Sequence, residues 1–159
     1  MGINILVDTK IHTFIGVLAG QIVDGTYIIT NVASLSTVQV HRAGCEVYVS
    51  STGEYPGLFE LWNIKSATDG GYILDNIGLT TTQMLDNFVT AIPQNGEPCV
   101  MKREATVFNI EPAGGGTYVI KLQYKDLLWN VEPPVVPRGD IKLRPANGES
   151  TERFTLTPA

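Results

Sequence analysis

Gly25-Thr26-Tyr27-Ile28-Ile29 is the stretch that decides how this chain folds, because it recurs. Gly70-Gly71-Tyr72-Ile73-Leu74 and Gly116-Thr117-Tyr118-Val119-Ile120 repeat its Gly-x-Tyr start and branched apolar continuation, with tyrosines 45 and 46 residues apart. A second set keeps the same step: Leu61-Trp62-Asn63-Ile64, Val107-Phe108-Asn109-Ile110 and Arg153-Phe154-Thr155-Leu156 carry aromatics 46 and again 46 residues apart. A weaker third set aligns Val40, Leu85 and Val131 at 45 and 46. Two unrelated motifs sharing one period indicate a chain built from three copies of one supersecondary unit.

Each motif is rich in Val, Ile, Tyr, Phe, Trp and Thr with apolar residues near every second position, which is strand composition and strand period. Asp69-Gly70-Gly71, Gly114-Gly115-Gly116 and Asn147-Gly148 fall between these runs and supply residues that tolerate positive φ. The pattern predicts about twelve strands, at 25–32, 37–42, 46–51, 59–66, 71–77, 82–88, 98–103, 105–112, 116–122, 127–132, 140–145 and 152–158, and no helix of ordinary length. At this point the chain resembles an all-β fold, the β-trefoil, in which four strands per repeat make a six-stranded barrel capped by three hairpins. The resemblance covers residues 24–159. It implies that Tyr27, Tyr72 and Tyr118, with Trp62, Phe108 and Phe154, are core. Residues 1–23 read as an N-terminal extension, an extra strand or an added leader.

The 159 residues amount to one domain, with 43% hydrophobic and 17% charged side chains. A net charge of -5 argues against nucleic acid, whose affinity rests on clustered Lys and Arg. No run of about eighteen apolar residues is present to span a membrane. Ile11–Ala19 is a poor signal peptide, being preceded by Asp8 and interrupted by His12 and Thr13, so an intracellular protein is expected. Cys45 and Cys99 are too few for a disulfide framework and are expected as free thiols. With His12 and His41 the only histidines, no catalytic triad, Cys-His pair or zinc spacing is present, so no catalytic residue, metal or cofactor is expected. Glu46, Glu54 and Glu60 read as solvated surface acids.

Trefoils serve as lectins, growth factors, cytoskeletal cross-linkers and protease inhibitors, so the loops must decide. Ricin-type lectins carry Gln-x-Trp in each repeat, whereas this chain has Leu61-Trp62-Asn63 and Val107-Phe108-Asn109, and a carbohydrate-binding module is kept as the alternative. Asp24-Gly25-Thr26-Tyr27-Ile28-Ile29-Thr30-Asn31-Val32 and the ending Phe154-Thr155-Leu156 look like fungal fruiting-body trefoil inhibitors, the mycocypins and mycospins, and more distantly Kunitz-type inhibitors. That resemblance implies inhibition of serine or cysteine proteases by single projecting loops.

Trypsin-like enzymes select Arg or Lys with an Asp at the base of a deep pocket. Arg42, in His41-Arg42-Ala43-Gly44 at the expected tip of a hairpin, is therefore the leading reactive residue, with Ala43 as the scissile partner. In mycospins this hairpin loop is among those used against trypsin. Arg138-Gly139, after the stiff Pro133-Pro134-Val135-Val136-Pro137, ranks second, and Lys65-Ser66 corresponds to the loop used by Kunitz-type inhibitors. Arg138-Gly139-Asp140 also spells an integrin-binding tripeptide, read as accidental. Asn147-Gly148 and Asn95-Gly96 suit legumain-type proteases by residue type, although Asn-Gly is a common hairpin turn. The expected partner is a trypsin-like serine protease, bound by a monomer.

Overall fold

The structure is a computed structural model and describes residues 21–51 and 57–159. The expected extension at 1–23 lies almost wholly outside the described residues, as does Glu54. Among the described residues twelve strands follow one another: β1 (Gly25–Asn31), β2 (Val38–Gln39), β3 (Tyr48–Ser50), β4 (Leu61–Ser66), β5 (Tyr72–Asn76), β6 (Phe88–Thr90), β7 (Val100–Lys102), β8 (Phe108–Gly114), β9 (Thr117–Leu122), β10 (Leu128–Val131), β11 (Arg138–Arg144) and β12 (Phe154–Pro158). Six of them close a ring of antiparallel pairs, β1 with β4, β4 with β5, β5 with β8, β8 with β9, β9 with β12 and β12 with β1.

The register explains why two motifs share one period. Tyr27 stands directly opposite Trp62, Tyr72 opposite Phe108, and Tyr118 opposite Phe154. Each repeat's first and last strands are thus stitched by one Tyr–aromatic pair, a contact type that stabilises antiparallel strands. Trp62, Phe108 and Phe154 are fully buried, Tyr27 and Tyr72 nearly so, and Tyr118 is half-buried against the same core. Closing the ring leaves the barrel no free edge.

The other six strands form three hairpins, β2–β3, β6–β7 and β10–β11, that meet on the pseudo-threefold axis. There Val47 N donates to Cys99 O (2.8 Å), Cys99 N to Ile141 O (2.9 Å) and Ile141 N to Val47 O (3.0 Å). All three residues are fully buried, so this cycle satisfies backbone groups that water cannot reach. Beneath it, the Trp129 ring meets Phe108 and Phe154 edge-on at 5.5 and 6.0 Å.

The second repeat departs from the sequence expectation. Residues 82–87 do not form a strand, and Leu85 is 65% exposed. Asn76 caps a five-residue helix, α1 (Ile77–Thr81), its side chain accepting from Leu79 N at 3.2 Å. Gly78 lets that helix lie on Phe59, where any Cβ would sit 2.4 Å from the ring. The insertion pushes the next strand to 88–90, in the register Val89 to Met101 and Thr90 to Val100. Continuing that register places Ala91 opposite Cys99, as Val131 stands opposite Ile141. Ala91, not Leu85, is therefore the counterpart of Val40 and Val131.

Glu60 also differs from expectation. It is 3% exposed, as is Glu152, and each ends a short 3-10 turn two residues before a core aromatic. Glu152 accepts from the backbone N–H of Asn147 and Gly148, Thr106 Oγ1 in the matching position accepts from Ala91 N (3.0 Å), and Glu60 accepts from the Thr37 hydroxyl. One position per repeat thus ties a loop to the barrel.

Candidate functional site

The β2–β3 hairpin turns at Arg42–Cys45, where Cys45 N donates to Arg42 O at 3.4 Å. Gly44 has φ +77°, a left-handed conformation that a Cβ disfavours, which fixes glycine as the third residue of this turn. Its N–H donates to Met101 O of the second repeat at 3.1 Å. Arg42 and Gly44 are exposed and Ala43 is half-buried. Arg42 is the first residue of a tight four-residue turn rather than part of a long open loop.

His41, just before it, has its ring edge-on to Tyr48 and to Phe59 at 5.7 and 5.6 Å, and its Nδ1 lies 3.0 Å from Tyr48 Oη. β3 pairs with β11, Ser50 opposite Arg138 and Tyr48 opposite Asp140. That pairing brings the second-ranked arginine beside the first. The Arg138 guanidinium lies 4.2 Å from the centre of the Tyr48 ring and bonds Asp140 Oδ1 at 2.9 Å. His41, Arg42, Cys45, Tyr48 and Arg138 line one cleft of about 270 Å³.

The remaining candidates are apart from this cleft or engaged elsewhere. Gly139 is buried within β11, where a Cβ would meet Val131 and Val135 at 3.1 and 3.2 Å, so Arg138-Gly139-Asp140 is a strand segment. Lys65, the next-to-last residue of β4, pairs through Nζ with the buried Asp75 carboxylate at 3.3 Å. Ser66 donates its N–H and hydroxyl to Asp24 Oδ1 at 2.9 and 2.6 Å, and these bonds hold the Asp24 carboxyl below its ordinary range. Asn147 is exposed, but its side chain accepts from Glu149 N at 2.8 Å while Glu152 grips the backbone beneath. Asn95 Oδ1 accepts from Arg144 at 3.2 Å.

Both cysteines are free. Cys99 is fully buried on the axis, and burial pushes its thiol well above the ordinary range, whereas Cys45 is half-buried in the cleft. A thiol reagent is expected to label one site per native molecule, Cys45, and a second, Cys99, only after unfolding. Mass spectrometry of labelled peptides checks this, and native labelling of Cys99 would contradict the axial packing. Among the described residues, no three His, Cys, Asp or Glu side chains are grouped to hold a metal ion. No helix among them is long and apolar enough to cross a membrane.

No protein-family model matches the sequence, and no curated protein matches it. The backbone does have solved counterparts. An agglutinin from Rhizoctonia solani superposes with a TM-score of 0.74 at 16% identity, covering 87% of this chain and 98% of that one. A ricin B-like lectin from Macrolepiota procera, solved with lactose, gives 0.73 at 14% identity, covering 87% and 99%. A proteinase inhibitor from Coprinopsis cinerea gives 0.68 at 16%, covering 87% and 100%.

The fold is a β-trefoil. At these identities the likeness establishes architecture, and a β-trefoil of this form serves two lectins and one inhibitor alike. What distinguishes this trefoil must be sought in its own loops. The buried Glu60 and Glu152 were missed in the sequence, although a polar side chain at a fixed offset before Trp62, Phe108 and Phe154 carried the signal. The meeting of Arg42 with Arg138 left no local trace, because it depends on pairing between the first and third repeats.

Proposed function

We propose that this trefoil is a non-enzymatic inhibitor of trypsin-like serine proteases and that Arg42 enters the specificity pocket, with His41, Ala43 and Gly44 flanking it at the interface. The observation that carries this is the condition of the three candidate cations. Lys65 is ion-paired to Asp75 and Arg138 to Asp140, whereas the exposed Arg42 has no ion pair among the described residues and stands on a short turn tied to a neighbouring repeat. A stiff turn loses little freedom on docking, and such freedom otherwise subtracts from affinity. An interface of ordinary size, about 800 Å² per partner, needs more than one turn. A second loop must supply the remainder. The partner envisaged is a single protease per monomer.

Titrating trypsin with the protein is expected to abolish activity at one inhibitor per enzyme. Trypsin that stays active in the presence of excess protein would overturn the proposal.

A second function, carbohydrate binding, is favoured by Tyr124. It is 81% exposed, its hydroxyl is held by Asp69 Oδ2 at 3.1 Å, and it borders a cleft of about 420 Å³ with Pro93, Val107, Leu122 and Lys125. An exposed aromatic face beside a concave surface suits the apolar face of a sugar ring. Glycan-array binding that free sugar abolishes, and that Tyr124→Ala removes, would establish this in place of protease inhibition.

A further inference from the structure

The Arg42 turn is gripped by both of the other repeats. On its C-terminal side Gly44 N donates to Met101 O of the second repeat. On its N-terminal side the grip comes from the third. The β3–β11 ladder sets Arg138 opposite Ser50, and the Arg138 side chain lies over the Tyr48 ring, pinned there by Asp140. Tyr48 Oη in turn meets His41 Nδ1, and the His41 ring is wedged between Tyr48 and Phe59. His41 is the residue before Arg42.

We infer that Arg138 is a positioning residue for Arg42, resting on the function proposed above. Stacking on Tyr48 immobilises the ring that orients His41 and so the entry to the turn. The turn that carries Arg42 is thereby held in one conformation before any protease arrives. Asp140 serves the same end by fixing the guanidinium where it stacks.

The test is a double-mutant cycle against trypsin with Arg42→Ala, Arg138→Ala and the pair, with Arg138→Lys as the conservative variant. Arg138→Ala is expected to weaken inhibition roughly 10-fold to 100-fold, Arg138→Lys to recover part of it, and the melting temperature to stay within a few degrees. In the Arg42→Ala background, Arg138→Ala should add almost nothing, because Arg138 acts through Arg42. Wild-type inhibition by Arg138→Ala, or an equal loss in both backgrounds, would overturn the inference while leaving the inhibitor function standing.

A separate readout covers failure of the function itself. Trypsin should cut the Arg42–Ala43 bond faster in Arg138→Ala than in the wild type, followed by mass spectrometry. If the wild type does not inhibit, the proposed function falls, and equal cutting of the two proteins would then remove the positioning role as well.

Discussion

Arg42→Ala is expected to weaken trypsin inhibition severely while leaving the fold intact. Side chains that fill a partner's central pocket cost about 4 kcal/mol or more on truncation, which is about a thousand-fold in the inhibition constant. Little stability should be lost, since Arg42 is exposed and its turn is held by backbone bonds from Cys45 and Gly44 that alanine leaves in place. Arg42→Lys should retain most of the inhibition, because lysine also reaches the pocket's carboxylate. Equal inhibition by the wild type and Arg42→Ala would move the reactive role to another loop. Arg138 and Lys65 would be next, each having to leave an ion pair first.

Trp62→Ala is expected to be the most damaging single truncation of the barrel. Trp62 is fully buried, faces Tyr27 across the β1–β4 ladder and Asn76 across β4–β5, and donates Nε1 to Val38 O at 2.9 Å. Removing it empties a large volume and leaves a buried carbonyl unpaired. Together these are expected to cost about 3 to 5 kcal/mol, a fall of roughly 10 °C in melting temperature for a domain of this size. Trp62→Phe, which fills most of the space but loses the hydrogen bond, should cost a fraction of that. Equilibrium denaturation of the three proteins decides it, and a loss below about 1 kcal/mol for Trp62→Ala would mean that the site repacks.

What the sequence made legible follows from how each feature is encoded. Tyr27, Tyr72 and Tyr118 and their partners Trp62, Phe108 and Phe154 are large side chains required at the same place in every repeat, so they survive as a period. Leu85 misled because α1 displaces the second repeat's hairpin, and a shorter connection afterwards restores the spacing before the next aromatic. An insertion and a deletion that cancel leave the period intact and the alignment between them wrong. Glu60 looked like a surface acid because charge is the visible property of glutamate, while its burial is set by the loop it ties down.

The loops resisted for a different reason. Arg42 and Arg138 were each legible as trypsin-type side chains on punctuated segments. Their common cleft was not, because β3 and β11 belong to repeats about ninety residues apart, and only the closed architecture of such a repeat fold makes them neighbours. Residue type suggested the chemistry, and topology decided which cations remained free for it.

The cycle of hydrogen bonds through Val47, Cys99 and Ile141 sets the size of the cooperative unit. Each repeat donates to the next and accepts from the previous one, so no two repeats can satisfy their axial backbone without the third. An open stack of repeats can shed its last member and keep the remainder folded. Here the loss of any one member leaves a buried donor and a buried acceptor stranded, and the chain stands or melts as a whole.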